Sequence, residues 1–378
     1  MIGKGSKIVE GRNVNKGIVW VARRIPDGYI CAHANQARIT QFPLDDPENC
    51  LYAPDVISFA REMGYYDGSD EDFSFSDVYA PLEFGTMRGC EARVWSFFRT
   101  FAPGMDAYLD YAMGYNPENR MPLWVKPSKK ISPKEVFDAM RDHFEGTPMD
   151  MTADIGAGGS ACPYRWRPME WEWEGETYVN ERATATQQTG FWFVAQARSY
   201  LPDAIGGVLW FGVDDAATSA LTPIYCGTTE VPPCFSEENG SLLEYSDTAA
   251  FWIFYLRYNV IGKAVRENVD AWENEMLLKV QEFDEKVMHS NMSHNRMIRE
   301  ATRFSVENAQ RLFDRWKTLD RYLMVKYIDG NVKVENADGF VTNGYNDKIP
   351  ETPEWPGYTD EWKEAVVRDH GDVLRVVE

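Results

Sequence analysis

The sequence predicts an α+β chain on three observations: β-rich runs that follow one another with short turns between them, apolar residues at helical spacing confined to other stretches, and a long helical pattern that folds back on itself. Ile18 to Ile25 and Tyr29 to Ala34 both read as β-rich runs. Pro26-Asp27-Gly28 between them presets the backbone for reversal, so a hairpin is expected. A short helix is expected near Asp55 to Met63, and Arg88 to Phe101 carries apolar residues at helical steps. Ser132-Pro133-Lys134-Glu135 has the arrangement of a capping box, in which serine and glutamate satisfy each other's orphan N–H groups, so a helix should open there and run through His143.

Glycines and prolines break up Met151 to Gly175, which is expected to be irregular. From Ala185 onward three strands, TGFWFVAQARS, GGVLWFGVD and TPIYCG, should pair in sequence order. Asp247 opens a helical region reaching about Tyr327. Val269, Trp272, Met276, Val280, Phe283 and Val287 recur at three- and four-residue steps, as do Ile298, Ala301, Leu312, Trp316, Leu319 and Leu323, with HSNMSHN as the reversal of a helical hairpin. Beyond Gly330, Pro350, Pro353 and Pro356 point to a tail over the surface. The expected division is a core over 1–245, a helical segment packed on it over 246–330 and a surface tail over 331–378. No internal repeat or low-complexity segment is present.

With 378 residues, 44% hydrophobic and 14% aromatic, the chain has enough apolar surface for a substantial core. Its net charge of -20 excludes a nucleic-acid partner, because holding phosphates requires a cationic surface. The most apolar helical run, Ala249 to Tyr255, is interrupted by Arg257 far short of a bilayer span, so no membrane partner is expected. No cationic, apolar signal opens the chain, which reads as cytoplasmic as it stands and exported only if a leader lies upstream. The six cysteines lack CxxC spacing, which excludes the usual zinc frameworks; free thiols are expected, with Cys226 and Cys234 the one pair placed to bridge.

Other enzyme signatures are missing. His289 and His294 are five apart and do not share the helix face a zinc site needs. Gly158 to Cys162 lacks the closing glycine and the preceding strand of a nucleophile elbow. No Lys-Ser/Thr follows the glycine-rich loop, and Asp67 to Asp72 lacks the ligand alternation of a calcium loop. No metal or organic cofactor is expected. His33, read as part of a strand, is expected at the core or rim, and Cys90 as a packing residue of an amphipathic helix. Three polar clusters remain: Asn35-Gln36-Ala37-Arg38, Thr186-Gln187-Gln188-Thr189 and Asp214-Asp215. Amides on a rigid sheet suit an oxyanion; the alternative is that they satisfy loop backbone.

The stretches VWVARRIPDGYICAHANQARI, GTMRGCEARVWSFF, EGTPMDMT with PYRWRP, and ATQQTGFWFVAQARSYLPDAIGGVLWFGVDDAATSALTPIYCGTTEVP resemble the bacterial dipeptidase A family of N-terminal nucleophile cysteine peptidases, over about Val19 to Tyr327. The resemblance implies an αββα sandwich of the N-terminal nucleophile type, partial here with N-terminal strands missing, and a broad dipeptidase activity. Family members begin with a nucleophilic cysteine, followed by a threonine and then Asp-Gly-Ser. This chain opens Met-Ile-Gly-Lys, and its first cysteine is Cys31. A terminal nucleophile uses its own α-amine as base, so an internal cysteine, whose nitrogen is an amide, cannot replace it. The expectation is therefore a truncated, C-terminal portion of such an enzyme, inactive by itself.

By the same resemblance Asn35 matches the oxyanion asparagine of the related bile-salt and penicillin-V acylases, and Arg93 the arginine they place beside the nucleophile. Arg38, Thr186, Gln188 and Asp214 are expected in the substrate pocket, with Asp214 holding a dipeptide's ammonium and Arg38 or Arg93 its carboxylate. The expected partners are a dipeptide or short peptide and, because missing strands leave sheet edges unpaired, a second copy in a homo-oligomer. Two other readings stay open: a non-catalytic peptide- or sugar-binding protein using Trp166, Trp192 and Asp214, and an unrelated hydrolase using Ser160 or Cys90.

Overall fold

The computed structural model of the chain describes residues 1–4, 7–15, 17–254 and 262–376. Tyr255 and Arg257, at the end of the apolar helical run, lie outside them. The chain forms two compact units, Met1–Ile131 with Asn180–Ala183, and Ser132–Val179 with Thr184–Glu378.

The first unit is made of small antiparallel ladders and short helices. Val21–Arg23 pairs with Cys50–Tyr52, and Ile30–Cys31 pairs with Trp124–Val125. The expected hairpin is therefore absent. Its turn does form, with Tyr29 N–H donating to the Pro26 carbonyl at 3.1 Å, but each arm finds a different, distant partner. The reason is burial: Val19, Val21, Cys50 and Ala53 meet Val56, Ile57 and Ala60 of the helix Val56–Glu62 in one apolar cluster, which a local hairpin would not assemble. His33 lies in the irregular loop after Cys31, not in a strand. The predicted helix near residues 88–101 is present as Ala92–Phe101, preceded by one π-helical turn at Met87–Glu91.

In the second unit the capping box forms, Glu135 N–H to Ser132 Oγ at 3.3 Å and Ser132 N–H to Glu135 Oε2 at 2.8 Å, but the helix ends at Ala139, short of His143. At the end of the stretch expected to be irregular, Glu170–Trp173 pairs with Glu176–Val179, just beyond it, in a hairpin. Glu174 and Gly175 take φ of 50° and 87°, the left-handed pair that matches strand twist across a two-residue turn. Phe191–Ala197, Gly207–Val213 and Thr222–Tyr225 form an antiparallel sheet in sequence order, as expected. Period-two alternation sends Trp192, Val208, Trp210 and Tyr225 into the core. The other face leaves Phe191 61% and Phe193 49% exposed.

The helical hairpin is also present, as Gly262–Met288 and His294–Lys326. Its buried stripe, including Trp272, Met276, Ala301, Leu312 and Trp316, joins the buried sheet residues in one core. The tail carries a helix, Asp360–His370, capped by Thr359, that the preceding prolines concealed. The chain is thus mixed α and β, and three strands make its largest sheet among the described residues. All six cysteines are free thiols.

What fastens the sheet's loop to the long helices is a buried ion pair. Arg141, 4% exposed, donates to Glu273, 0% exposed, at 2.5 Å, and to the carbonyls of Ala216 and Ser219 at 2.7 and 3.1 Å. Its guanidinium lies over the Trp192 ring at 4.7 Å. Glu273 also accepts from Leu221 N–H at 3.1 Å, so one carboxylate joins two loop segments to the helix. Glu273→Ala should cost about 3–5 kcal/mol in urea unfolding because it strands a buried cation, whereas the double change Arg141→Met, Glu273→Leu should recover most of it; equal losses for both would contradict this account.

Candidate active site

The site in the first unit is organised by the turn Met87–Glu91 and the loop that follows Cys31. Glu91, 1% exposed, accepts from Arg38 Nε and from the Tyr111 hydroxyl, both at 3.0 Å. Arg38 also donates to the carbonyls of Ala32, Leu123 and Pro122 at 3.3, 3.1 and 2.9 Å, and its guanidinium lies over the Phe98 ring. Burial, with the Glu91 carboxylate beside it, pushes the Tyr111 phenol well above the ordinary tyrosine range. These contacts make Arg38 the clasp of its own loop.

The clasp holds Asn35 at the tip, at φ 42°, a left-handed conformation that asparagine tolerates better than most residues. Gln36 anchors the same loop through Nε2 to the Ala80 carbonyl at 2.6 Å. Arg93 reaches it from the helix: Nη2 donates to Asn35 Oδ1 at 2.9 Å and Nε to the Gly89 carbonyl at 3.0 Å. Two residues that the resemblance proposes for catalysis, 58 positions apart, are therefore hydrogen-bonded to each other. With its Oδ1 engaged, Asn35 directs its NH2 group elsewhere, the donor an oxyanion needs. Burial and then the Arg182 guanidinium hold Arg93 below the ordinary arginine range, and its side chain also contacts the Cys90 thiol.

A cavity of about 210 Å³ is lined by Arg23, Cys31, His33, Arg38, Phe75 and Trp124 among others. Burial, followed by the Met1 ammonium, holds the His33 imidazole below its usual 6.5, and burial pushes the Cys31 thiol up, which opposes its use as a nucleophile.

The remaining predicted residues belong to the second unit. Thr186 Oγ1 donates to Gln188 Oε1 at 2.7 Å and accepts from Gln188 N–H at 3.2 Å, a local turn with Gln188 exposed. Asp214, 0% exposed with φ 64°, ends the strand Gly207–Val213, and its N–H donates to the Gly190 carbonyl at 3.0 Å. In this conformation its carboxylate is out of solvent's reach. Trp192 is core and Trp166 is 70% exposed. Among the described residues, no hydrogen bond joins Ser160 or Cys90 to a histidine.

Sequence reasoning overlooked Glu91, Tyr111, Arg88, Glu181 and Arg182. Arg88 donates to both oxygens of Glu181, at 3.1 and 3.0 Å from Nε, and its Nη1 to the Met113 carbonyl at 3.0 Å. A signal was available for Glu91: a carboxylate flanked by Cys90 and Ala92 on the apolar face of a helix requires a buried cation.

The profile of the family described as Peptidase family C69 matches residues 8–276. A protein of Salmonella dublin named "Probable dipeptidase" is 28% identical over 229 residues, covering 60% of this chain and 47% of the relative. "Dipeptidase A" of Lactobacillus helveticus is 23% identical over 265 residues, 68% of this chain and 49% of the relative. "Probable dipeptidase" of Latilactobacillus sakei is 23% identical, over 58% of this chain and 41% of the relative. The chain spans about half the length of the curated relatives it matches.

Because Glu91 neutralises a guanidinium buried beside it, Glu91→Gln should lower stability by about 3 kcal/mol, near the cost of breaking a buried pair, while Tyr111→Phe should cost about 1 kcal/mol for one hydrogen bond. Chemical denaturation followed by tryptophan fluorescence measures both; a smaller loss for the glutamate change than for the tyrosine change would refute the assignment.

Proposed function

The chain belongs to peptidase family C69, and from that premise we propose that it takes part in hydrolysis of dipeptides, with Asn35 and Arg93 at the reacting carbonyl. The observation that carries the reading is the hydrogen bond from Arg93 to Asn35 at the tip of a loop clasped by Arg38 and Glu91. In this mechanism the thiolate of a terminal cysteine, its proton taken by its own α-amine, attacks the peptide carbonyl. The oxyanion that forms is met by the Asn35 NH2 group, the amine departs as the first amino acid, and water releases the second from the acyl-enzyme. Arg93 favours negative charge at the same place.

All six cysteines of the 378 residues are internal, so each has an amide in place of the amine this chemistry needs. The 378-residue chain alone should therefore turn over no L-alanyl-L-alanine in a ninhydrin assay. Turnover by the chain alone would overturn the reading, and its loss in Cys90→Ala would transfer the role to that thiol.

We also propose the αββα arrangement for the complete family core, with the apolar face of the three-stranded sheet as its inner surface. Phe191 and Phe193 are exposed on that face, and among the described residues the strand Phe191–Ala197 pairs with another strand along one side only. An edge of that kind pairs with another, and a second copy of the chain supplies one. Light scattering should report a dimer or larger, and Phe193→Lys should shift the mass toward the monomer; a monomeric wild type would exclude this assembly.

A further inference from the structure

We propose that the cavity bordered by Arg23, His33 and Trp124 is a binding site for a small organic acid, one whose carboxylate is carried next to a branched aliphatic or phenyl group. The proposal stands apart from the hydrolytic reading, because it concerns what the cavity holds and not which bond is broken.

The cavity follows from the way the two arms of the unformed hairpin part company. The run before Pro26-Asp27-Gly28 pairs with Cys50–Tyr52 and the run after it with Trp124–Val125, and the cavity takes its walls from both ladders. Val21 and Arg23 come from the first; Cys31 and Trp124, paired in register, come from the second. Ile39, Phe75 and Leu123 add to an apolar lining. At about 210 Å³ the space exceeds the roughly 150 Å³ that holds a benzene ring in an apolar protein cavity, so a phenyl or isobutyl group fits with room for a polar end.

The charge at the cavity names that polar end. Two guanidiniums border it, and they differ. Arg38 is already met by Glu91 and by the carbonyls of Ala32, Leu123 and Pro122. Arg23 lies over the Trp124 ring, 5.5 Å from its centre, and among the described residues it is in no ion pair. Its Nε is buried with no hydrogen-bond partner, which is costly for a donor shut away from water. No acidic residue stands among the described residues that line the cavity, an exception in a chain of net charge -20. Burial holds the His33 imidazole below its usual range, so at neutral pH Arg23 is the unpaired side-chain cation that a ligand meets.

The complement is a carboxylate, whose two oxygens match guanidinium N–H groups in pairs, joined to an apolar group that the lining takes out of water. An amine would meet like charge, and a hydrocarbon would leave Arg23 unmatched. Two sources carry this chemistry: a free acid, and the C-terminal residue of a short peptide ending in leucine or phenylalanine.

The test uses the full chain. Calorimetry should show N-acetyl-L-leucine binding about ten-fold or more tightly than N-acetyl-L-leucinamide, which lacks the charge, and than N-acetylglycine, which lacks the side chain. Arg23→Gln should remove the preference for acid over amide with the near-ultraviolet dichroism unchanged, and Arg23→Lys should restore part of it. Saturating acid should also slow alkylation of Cys31, an exposed thiol that lines the cavity, and leave the exposed Cys226 of the other unit unaffected. 4-Methylpentanoate, which is the leucine skeleton without its nitrogen, separates the sources: weaker binding than N-acetyl-L-leucine names a peptide end, equal or tighter binding a free acid, and either supports the site. Equal binding of N-acetyl-L-leucine and its amide, no binding of the acid up to about 50 mM, an acid preference that survives Arg23→Gln, or Cys31 alkylation unchanged by the acid would each overturn it. Turnover of a dipeptide by the chain alone would strike the hydrolytic reading and leave this site standing.

Discussion

A guanidinium taken out of water must be met by a carboxylate and by carbonyl oxygens, and both units are arranged around that requirement. In the second unit Arg141 ties the Ala216 and Ser219 carbonyls to Glu273 of a long helix. In the first, Arg38 ties the Ala32, Pro122 and Leu123 carbonyls to Glu91. In each case one charged pair replaces a regular sheet or helix contact where the chain is irregular and backbone carbonyls would otherwise lack donors. Apolar packing supplies the driving force, and these pairs determine which loop conformation it stabilises.

The site follows from the second of these clasps. Asn35 stands in the left-handed region, and its amide oxygen is held by Arg93, on the helix that follows the turn carrying Glu91. The proposed oxyanion chemistry depends on donors fixed before charge develops, which gives the buried residues below the loop a positioning part in it.

Much of this was legible in the sequence where the signal is local. Three strands follow one another from Phe191 to Tyr225 with burial that alternates along them, and connections of nine and eight residues leave little choice of partner. The long helices declare themselves through stripes such as Val269, Trp272 and Met276. The arms on either side of Pro26-Asp27-Gly28 were misread because a turn dictates only direction, whereas Cys50–Tyr52 and Trp124–Val125 took the hydrogen bonds. The ribbon at Glu170–Val179 was missed although Glu170-Trp171-Glu172-Trp173 has the period-two rhythm of a strand, because the glycines and prolines around it read as breakers; both of its faces are largely solvated. Asn35 and Arg93 could be proposed from resemblance, but the Arg38–Glu91 pair joins residues 53 apart and has no local pattern to betray it.

The π-helical turn at Met87–Glu91 carries a consequence for how this surface can change. An α-helix advances roughly 100° per residue, so deleting one residue there would swing Arg88 and Cys90 around the axis relative to Arg93. The wide turn acts as a phase setting between two stretches of helix, letting one face serve Glu181 and the next serve Asn35. Point substitutions can adjust this corner in small steps, while a change of length would dismantle it at once.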